Sequence, residues 1–304
     1  MALERISVAV LGPGGVGGLL AALLARGGNS VLVLASEGSS RAIAKRGLQL
    51  ESRRFGDFSV SVPTATRLEK PVDACFITVK STELGEALER VPADAIGQGL
   101  MIPFLNGIEH VELLRAIYPP SSVAAATIRV ETARVEPGLI RQTSPFASVE
   151  IAASPDNRDR VALVAAQLKA AGLDVRIRDD ETAMLWDKFV FLAPLALLTT
   201  HERANAGVIR TRRRDDAIAL ISEVTAVAQA EGVAVDREAV VHLLDSVPET
   251  MESSMLRDQA AGRPLELDAI GCAVVRRAAN AGVAVPVTAR LVEDLRARTS
   301  EPVA

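Results

Sequence analysis

Aromatic side chains are scarce in this chain, making up 3% of its 304 residues, with one Trp and one Tyr. With so few rings available, the core has to be built from aliphatic side chains. Positive charge is also not in excess. Lys and Arg number 34 against 38 Asp and Glu, a formal net charge of −4, which argues against a nucleic-acid partner. The local basic run from Arg210 to Arg214 reads as a solvated helix face. Cysteine is limited to Cys75 and Cys272, far apart, as expected for two buried thiols in a reducing, cytoplasmic setting. The histidines, His110, His201 and His242, share no ligand spacing, so no metal site is expected. No signal-like segment opens the sequence, and the apolar stretch Leu19 to Leu24 is too short to cross a bilayer, so no membrane partner is expected.

What is present is aliphatic. Hydrophobic residues reach 49%, enough for a sizeable core of Ala, Val and Leu and for two ordinary domains. "VAVLGPGGVGGLLAALLARGG", Val8 to Gly28, places G-x-G-x-x-G at Gly12, Gly14 and Gly17. A β-branched run precedes it, an Ala/Leu helical run follows, and "SVLVLAS" from Ser30 supplies a second strand. In that βαβ context Gly12 permits the tight turn, Gly14 lets the backbone approach a pyrophosphate, and Gly17 lets the helix pack closely. Gly15 and Val16 open the helix, whose N–H groups face the anion. Dinucleotide binding is expected.

Which dinucleotide depends on the end of the second strand, "VLASEGSSR". Ala35 stands where an NAD site usually carries an acid, and Ser36, Ser39 and Arg41 suit a 2′-phosphate. The sequence favours NADP, while Glu37 leaves NAD open.

Further strands are read at "ACFITVKS", ending at Lys80, and at "GLMIPFLNG", ending at Asn106-Gly107, with a helix bearing Glu83, Glu86 and Glu89 after the first. The pattern then turns antiparallel, with two alternating runs around "EPG" at Glu136 to Gly138. Helical patterns dominate from Asp180 onward. The expected architecture is α/β: a Rossmann-like doubly wound parallel sheet over residues 1–179, followed by an all-α domain over residues 180–304.

Ligands in doubly wound sheets sit beyond the carboxyl ends of the strands, where Lys80 and Asn106 fall. Each also has a structural reading: a solvated lysine at a helix start, or the turn-former of an Asn-Gly pair. In "LWDKFVFLAPLALL", Lys188 enters a nearly apolar helix. It is either a snorkelling helix-end lysine or a partly buried one, and burial lowers a lysine's pKa toward proton transfer near neutrality. "SSMLRDQAAGRPLELDAIGCAVVRR" places Ser254 and Glu266 around a turn, with capping or a surface ion pair as the simpler role for Glu266.

Together the glycine loop, Lys80, Asn106-Gly107, "WDKF", the "SSMLRDQAAGRPLELD" segment and the tail "AGVAVPVTARL" resemble the ketopantoate reductase (2-dehydropantoate 2-reductase) family over nearly the whole chain. The resemblance implies NADPH-dependent reduction of a 2-keto acid, 2-dehydropantoate to pantoate in pantothenate biosynthesis. It implies that Lys188 donates the proton and that Glu266 holds the substrate hydroxyls or the lysine. Asn106 and Lys80 would contact both cofactor and substrate, and Ser254 the substrate. It also implies a monomer or homodimer.

Three departures stand out. Ser36 replaces a frequent family arginine, and Leu192 and Ala196 replace asparagines four and eight residues beyond the catalytic lysine. Pro194 lies inside this helix and is expected to kink it. Losing two amide side chains leaves fewer partners for a hydroxylated substrate, so a more apolar 2-keto acid is an alternative. A non-catalytic dinucleotide sensor is a further alternative, against which the retained Lys188 and Glu266 speak.

Overall fold

The computed structural model describes residues 4–300 and divides into two compact units. The first runs up to Leu105 and resumes from His110 to Met184; the second comprises Asn106–Glu109 and the chain from Leu185 onward. The division thus falls after Met184, beyond the expected boundary at Asp179, and gives a four-residue loop from the sheet-bearing part of the sequence to the helical unit.

The first unit is built on a five-stranded, wholly parallel sheet. Its strands are β1 (Ser7–Leu11), β2 (Ser30–Leu34), β5 (Thr64–Ala65), β6 (Ala74–Ile77) and β7 (Leu100–Pro103), in the order β5-β2-β1-β6-β7. Strands β6 and β7 are buried throughout, as expected when helices or other layers cover both faces. The order reverses between β1 and β6, where an open α/β sheet leaves a crevice at its carboxyl end.

Helix α1 (Gly15–Arg26) follows β1 and ends at Gly27, with Gly28 in the left-handed region at φ +85°. Leu19, Leu20, Leu23 and Leu24 on it are at most 1% exposed, each burial contributing about 2 kcal/mol. Helix α2 (Glu37–Arg46), which the sequence pattern did not announce, follows β2. Its polar composition leaves only Ile43 buried, so no apolar stripe marks it.

A second sheet, β4-β3-β10-β9, lies against α1. It consists of β3 (Leu48–Ser52), β4 (Phe58–Val60), β9 (Thr132–Glu136) and β10 (Leu139–Gln142). The hairpin around Glu136 to Gly138 forms between β9 and β10, but β10 pairs with β3 in parallel. The third sheet joins β8 (Ala126–Arg129), β11 (Ser148–Ala152) and β12 (Asp174–Arg178), antiparallel on one side of β11 and parallel on the other. The middle of the sequence is therefore mixed rather than antiparallel throughout. Short helices α3 (Leu84–Leu88), α4 (Ala93–Ile96) and α5 (His110–Ile117), and the longer α6 (Arg158–Ala170), complete the unit.

Beyond β12 the described residues form only helices and turns. Helix α7 (Glu181–Glu202) continues through Pro194, and no other described helix is long and apolar enough to cross a membrane by length and composition. About two-thirds of its most apolar stretch is buried within the protein, the pattern of a core helix. Next come α8 (Ala206–Arg212), α9 (Arg214–Ala230), α10 (Arg237–Ser246), α11 (Ser254–Ala260), α12 (Ala273–Ala281) and α13 (Pro286–Ser300). Helix α9 is the hub, packing against α8, α10, α12 and α13. Its Glu223 accepts from the N–H groups of Val287 and Thr288, each at 2.8 Å, so a side chain on one helix caps the start of another. Cys75 and Cys272 are buried and unbridged, and burial pushes the Cys75 thiol up to about 12.

Candidate active site

Two arrangements carry chemical potential, one in each unit. The first is the glycine loop between β1 and α1. Gly12 has φ +88°, and a Cβ there would lie 2.6 Å from Val79 Cγ1, so only glycine fits. A Cβ on Gly17 would overlap Thr78 Oγ1 and the Gly12 carbonyl. Thr78, which sequence reading passed over, locks this turn by donating to the carbonyls of Leu11 (2.9 Å) and Gly12 (2.7 Å).

Gly15 and Gly18 answer a different demand. A Cβ on Gly15 would meet Thr132 O at 2.9 Å, and one on Gly18 would overlap Ile140. These glycines let the β9–β10 hairpin lie directly on α1. Gly14 differs from all of them: the nearest atom to a Cβ there is Thr78 O, 4.0 Å away. The fold leaves room at Gly14, beside a helix start with no acidic residue in its first turn. Open space beside unpaired N–H groups at the positive end of a helix dipole suits a phosphate.

At the carboxyl ends of β2 and β5 an open pocket of about 350 Å³ is lined by Glu37, Ser40, Arg41, Thr64, Ala65 and Thr66. Ser36 is the exposed N-cap of α2, its Oγ 3.3 Å from Ser39 Oγ. Arg41 is exposed, its Nε donating to the Glu37 carbonyl at 3.4 Å. Strand β6 stops at Ile77, so Lys80 is not its last residue; it lies half-buried as the N-cap of the 3-10 turn Ser81–Glu83.

The second arrangement lies within the helical unit and joins three segments distant in sequence. Lys188 Nζ, on α7, donates to Asn106 Oδ1 at 3.0 Å. Asn106 Nδ2 donates to Glu266 Oε2 at 3.2 Å. The amide orientation follows from chemistry, since an ammonium only donates and a carboxylate only accepts. Glu266 is 2% exposed, which rules out the surface ion pair its sequence context allowed. Lys188 is half-buried, the second of the two readings its sequence context left open. This chain joins the Lys188 ammonium, through one amide, to a buried carboxylate.

Ser254 is the first residue of α11 and half-buried. The neighbouring Ser253 is the one built into the fold: it caps α11 by accepting from Leu256 N at 3.0 Å and bonds Thr199 Oγ1 at 2.7 Å. A serine side chain before a helix start is a common cap, and here it is Ser253 rather than Ser254 that fills it.

Leu192 and Ala196 follow Lys188 at intervals of about one helical turn, which directs them to the same side of α7. Leu192 is half-buried and Ala196 1% exposed. Nearby, Arg276 holds the Asp268 carboxyl below the usual carboxylate range, against the opposing effect of partial burial.

A doubly wound parallel α/β sheet followed by a helical region defines the class: two-part oxidoreductases with a dinucleotide-type fold. More narrowly, the chain belongs to the ketopantoate reductase family. Residues 8–156 match the family described as "Ketopantoate reductase PanE/ApbA", and residues 180–299 match its C-terminal part. The 2-dehydropantoate 2-reductase of Mycobacterium tuberculosis is 32% identical, the alignment covering 97% of this chain and 98% of that one. The structure of a PanE/ApbA family ketopantoate reductase from Ralstonia eutropha JMP134 superposes with a TM-score of 0.86 at 27% identity, covering 96% and 97% of the two chains. A D-mandelate dehydrogenase, solved with NADH and anilino(oxo)acetate, shares the fold with a TM-score of 0.89 at 21% identity, covering 96% and 98%.

Proposed function

We propose that the protein reduces a 2-keto acid to the 2-hydroxy acid, with NADPH as reductant and 2-dehydropantoate as the substrate to test first. The observation that carries this reading is the Lys188–Asn106–Glu266 hydrogen-bonded chain. Reduction of a ketone needs a hydride at carbon and a proton at oxygen. A nicotinamide dinucleotide, when bound, supplies the hydride. The backbone of Gly12, Gly14, Gly15, Val16 and Gly17 would hold its pyrophosphate, and the room at Gly14 fits that role. Ser36 and Arg41 would hold the adenosine 2′-phosphate, and the absence of an acid at Ala35 supports NADPH over NADH.

Lys188 gives its proton to the substrate oxygen, and its charge stabilises the alkoxide as it develops. Asn106 fixes Nζ by accepting a hydrogen bond from it, and Glu266 fixes Asn106 by accepting one from its amide. Lys80 and Ser254 would bind the substrate. Membership of the ketopantoate reductase family supports the reaction, and the Mycobacterium tuberculosis relative carries the name of the specific activity.

Leu192 favours a second substrate reading within the same reaction. An apolar side chain close behind Lys188 on α7 accommodates a 2-keto acid with an apolar substituent.

Purified protein is expected to oxidise NADPH in the presence of 2-dehydropantoate. A panel of branched and aromatic 2-keto acids separates the two substrate readings by kcat/KM. Dinucleotide binding without turnover of any 2-keto acid would defeat both and leave a sensor.

A further inference from the structure

Asn106 lies outside regular secondary structure, and Glu266 sits in the turn that opens a helical segment, its carbonyl accepting from Ile270 N at 3.1 Å. The alignment of their side chains has another source. Arg276, on α12, faces two carboxylates at once: Nη2 donates to Glu109 Oε2 at 2.6 Å and Nη1 to Asp268 Oδ1 at 2.9 Å. Its Nη2 also reaches the Asp268 carbonyl at 3.1 Å. Glu109 follows Asn106 by three residues and Asp268 follows Glu266 by two. One guanidinium therefore ties together the two segments that deliver the partners of Lys188.

The same segments meet directly at Gly107. Its φ is +95°, and a Cβ there would lie 2.6 Å from Ala269 O, so the Asn106 loop is pressed against the turn after Glu266. Arg277 extends the tie, with Nε 3.8 Å from Glu109 and Nη1 3.5 Å from Glu231. Glu231 in turn accepts from Trp186 Nε1 at 3.0 Å, on the same turn of α7 as Lys188.

We propose that Arg276 is a positioning residue: by bridging Glu109 and Asp268 it sets the placement of Asn106 against Glu266, and through Asn106 that of Lys188 Nζ. This rests on the reading of Lys188 as the proton donor. The planar fork of arginine is what lets one side chain serve two carboxylates; an ammonium of equal charge reaches them as a single point.

The test uses Arg276→Gln, Arg276→Lys and Glu109→Gln, each alone and combined with Asn106→Ala. Glu109→Gln keeps Arg276 in place and serves if the arginine variants fold poorly. With the 2-keto acid that wild type turns over, Arg276→Gln is expected to lower kcat roughly tenfold to a hundredfold, the scale of an ångström-sized misplacement. Dinucleotide affinity should be unchanged. Arg276→Lys should fall with it. On the Asn106→Ala background the same change should alter kcat less than about twofold, because the two act through one path. Full additivity, or full activity of Arg276→Lys, overturns the proposal.

A second measurement is independent of turnover. The titration of Lys188, followed by NMR of isotope-labelled lysine, should shift in Arg276→Gln in the same direction as in Asn106→Ala. An unmoved titration overturns the proposal. If wild type reduces no 2-keto acid, the proposed function fails, and the titration still decides the role of Arg276.

Discussion

The glycine loop and the Lys188 group are built on opposite principles. The loop is contiguous, lies between one strand and one helix, and is made of backbone. The Lys188 group is made of side chains, with Lys188 82 residues from Asn106 and Asn106 160 from Glu266. In the loop, function and fold compete for the same glycines. In the helical unit, side chains rather than the backbone carry the chemistry. The comparison teaches where a substitution should cost stability and where it should cost activity alone.

The largest expected effect lies on the side-chain half. Lys188→Ala should lower kcat roughly a thousandfold or more, the scale of losing a proton donor that also stabilises an alkoxide, with melting temperature little changed. Comparable turnover by the Ala variant would remove Lys188 from the chemistry. Asn106→Ala should follow at about a hundredfold, since Lys188 keeps its proton but loses its fixed partner.

Within the loop, two glycines of one motif should part company. Gly17→Ala forces a Cβ into Thr78 and the Gly12 carbonyl and should destabilise the protein by about 1–3 kcal/mol, read by thermal or urea unfolding. Gly14→Ala has room and should fold normally, while losing dinucleotide affinity in a direct binding measurement. If both lose stability equally, the separation between fold glycines and ligand glycine is wrong. A smaller effect is expected at the adenosine end: Arg41→Ala should raise KM for NADPH about tenfold and leave KM for NADH unmoved.

The smallest is a pH effect. Glu150, nearly buried in the third sheet, pairs with Arg129 at 3.0 Å and Arg178 at 3.1 Å. Burial acts to raise its pKa, but the two guanidinium groups outweigh it and hold the carboxyl below its ordinary value. A depressed folded pKa adds stability above the ordinary carboxylate range, and that stability disappears as pH falls through the folded value. Glu150→Gln should therefore cost about 1 kcal/mol near neutrality, a melting shift of a few degrees. The gap to wild type should close in acid; a gap independent of pH would refute the role of ionisation.

The parallel sheet was legible because β1 and β6 are short apolar runs with burial on both faces, and the glycine spacing announced the first turn. Helix α2 was not, because its polar sequence buries a single residue. Lys188, Asn106 and Glu266 could each be singled out from local context. Their hydrogen bonding to one another could not. Glu109 and Arg276 gave no signal at all, since charged residues in loops and on helices ordinarily face solvent.

The sequence by itself determined the elements with a clear apolar pattern and the kind of ligand the loop suits, because strand, helix and turn preferences act over neighbouring residues. Tertiary structure decided which glycines make room for a hairpin and which leaves a space. It also decided that a four-residue loop joins the helical unit, bringing an amide between a lysine and a buried carboxylate. Those outcomes depend on contacts between residues far apart in the chain, and no local pattern encodes them.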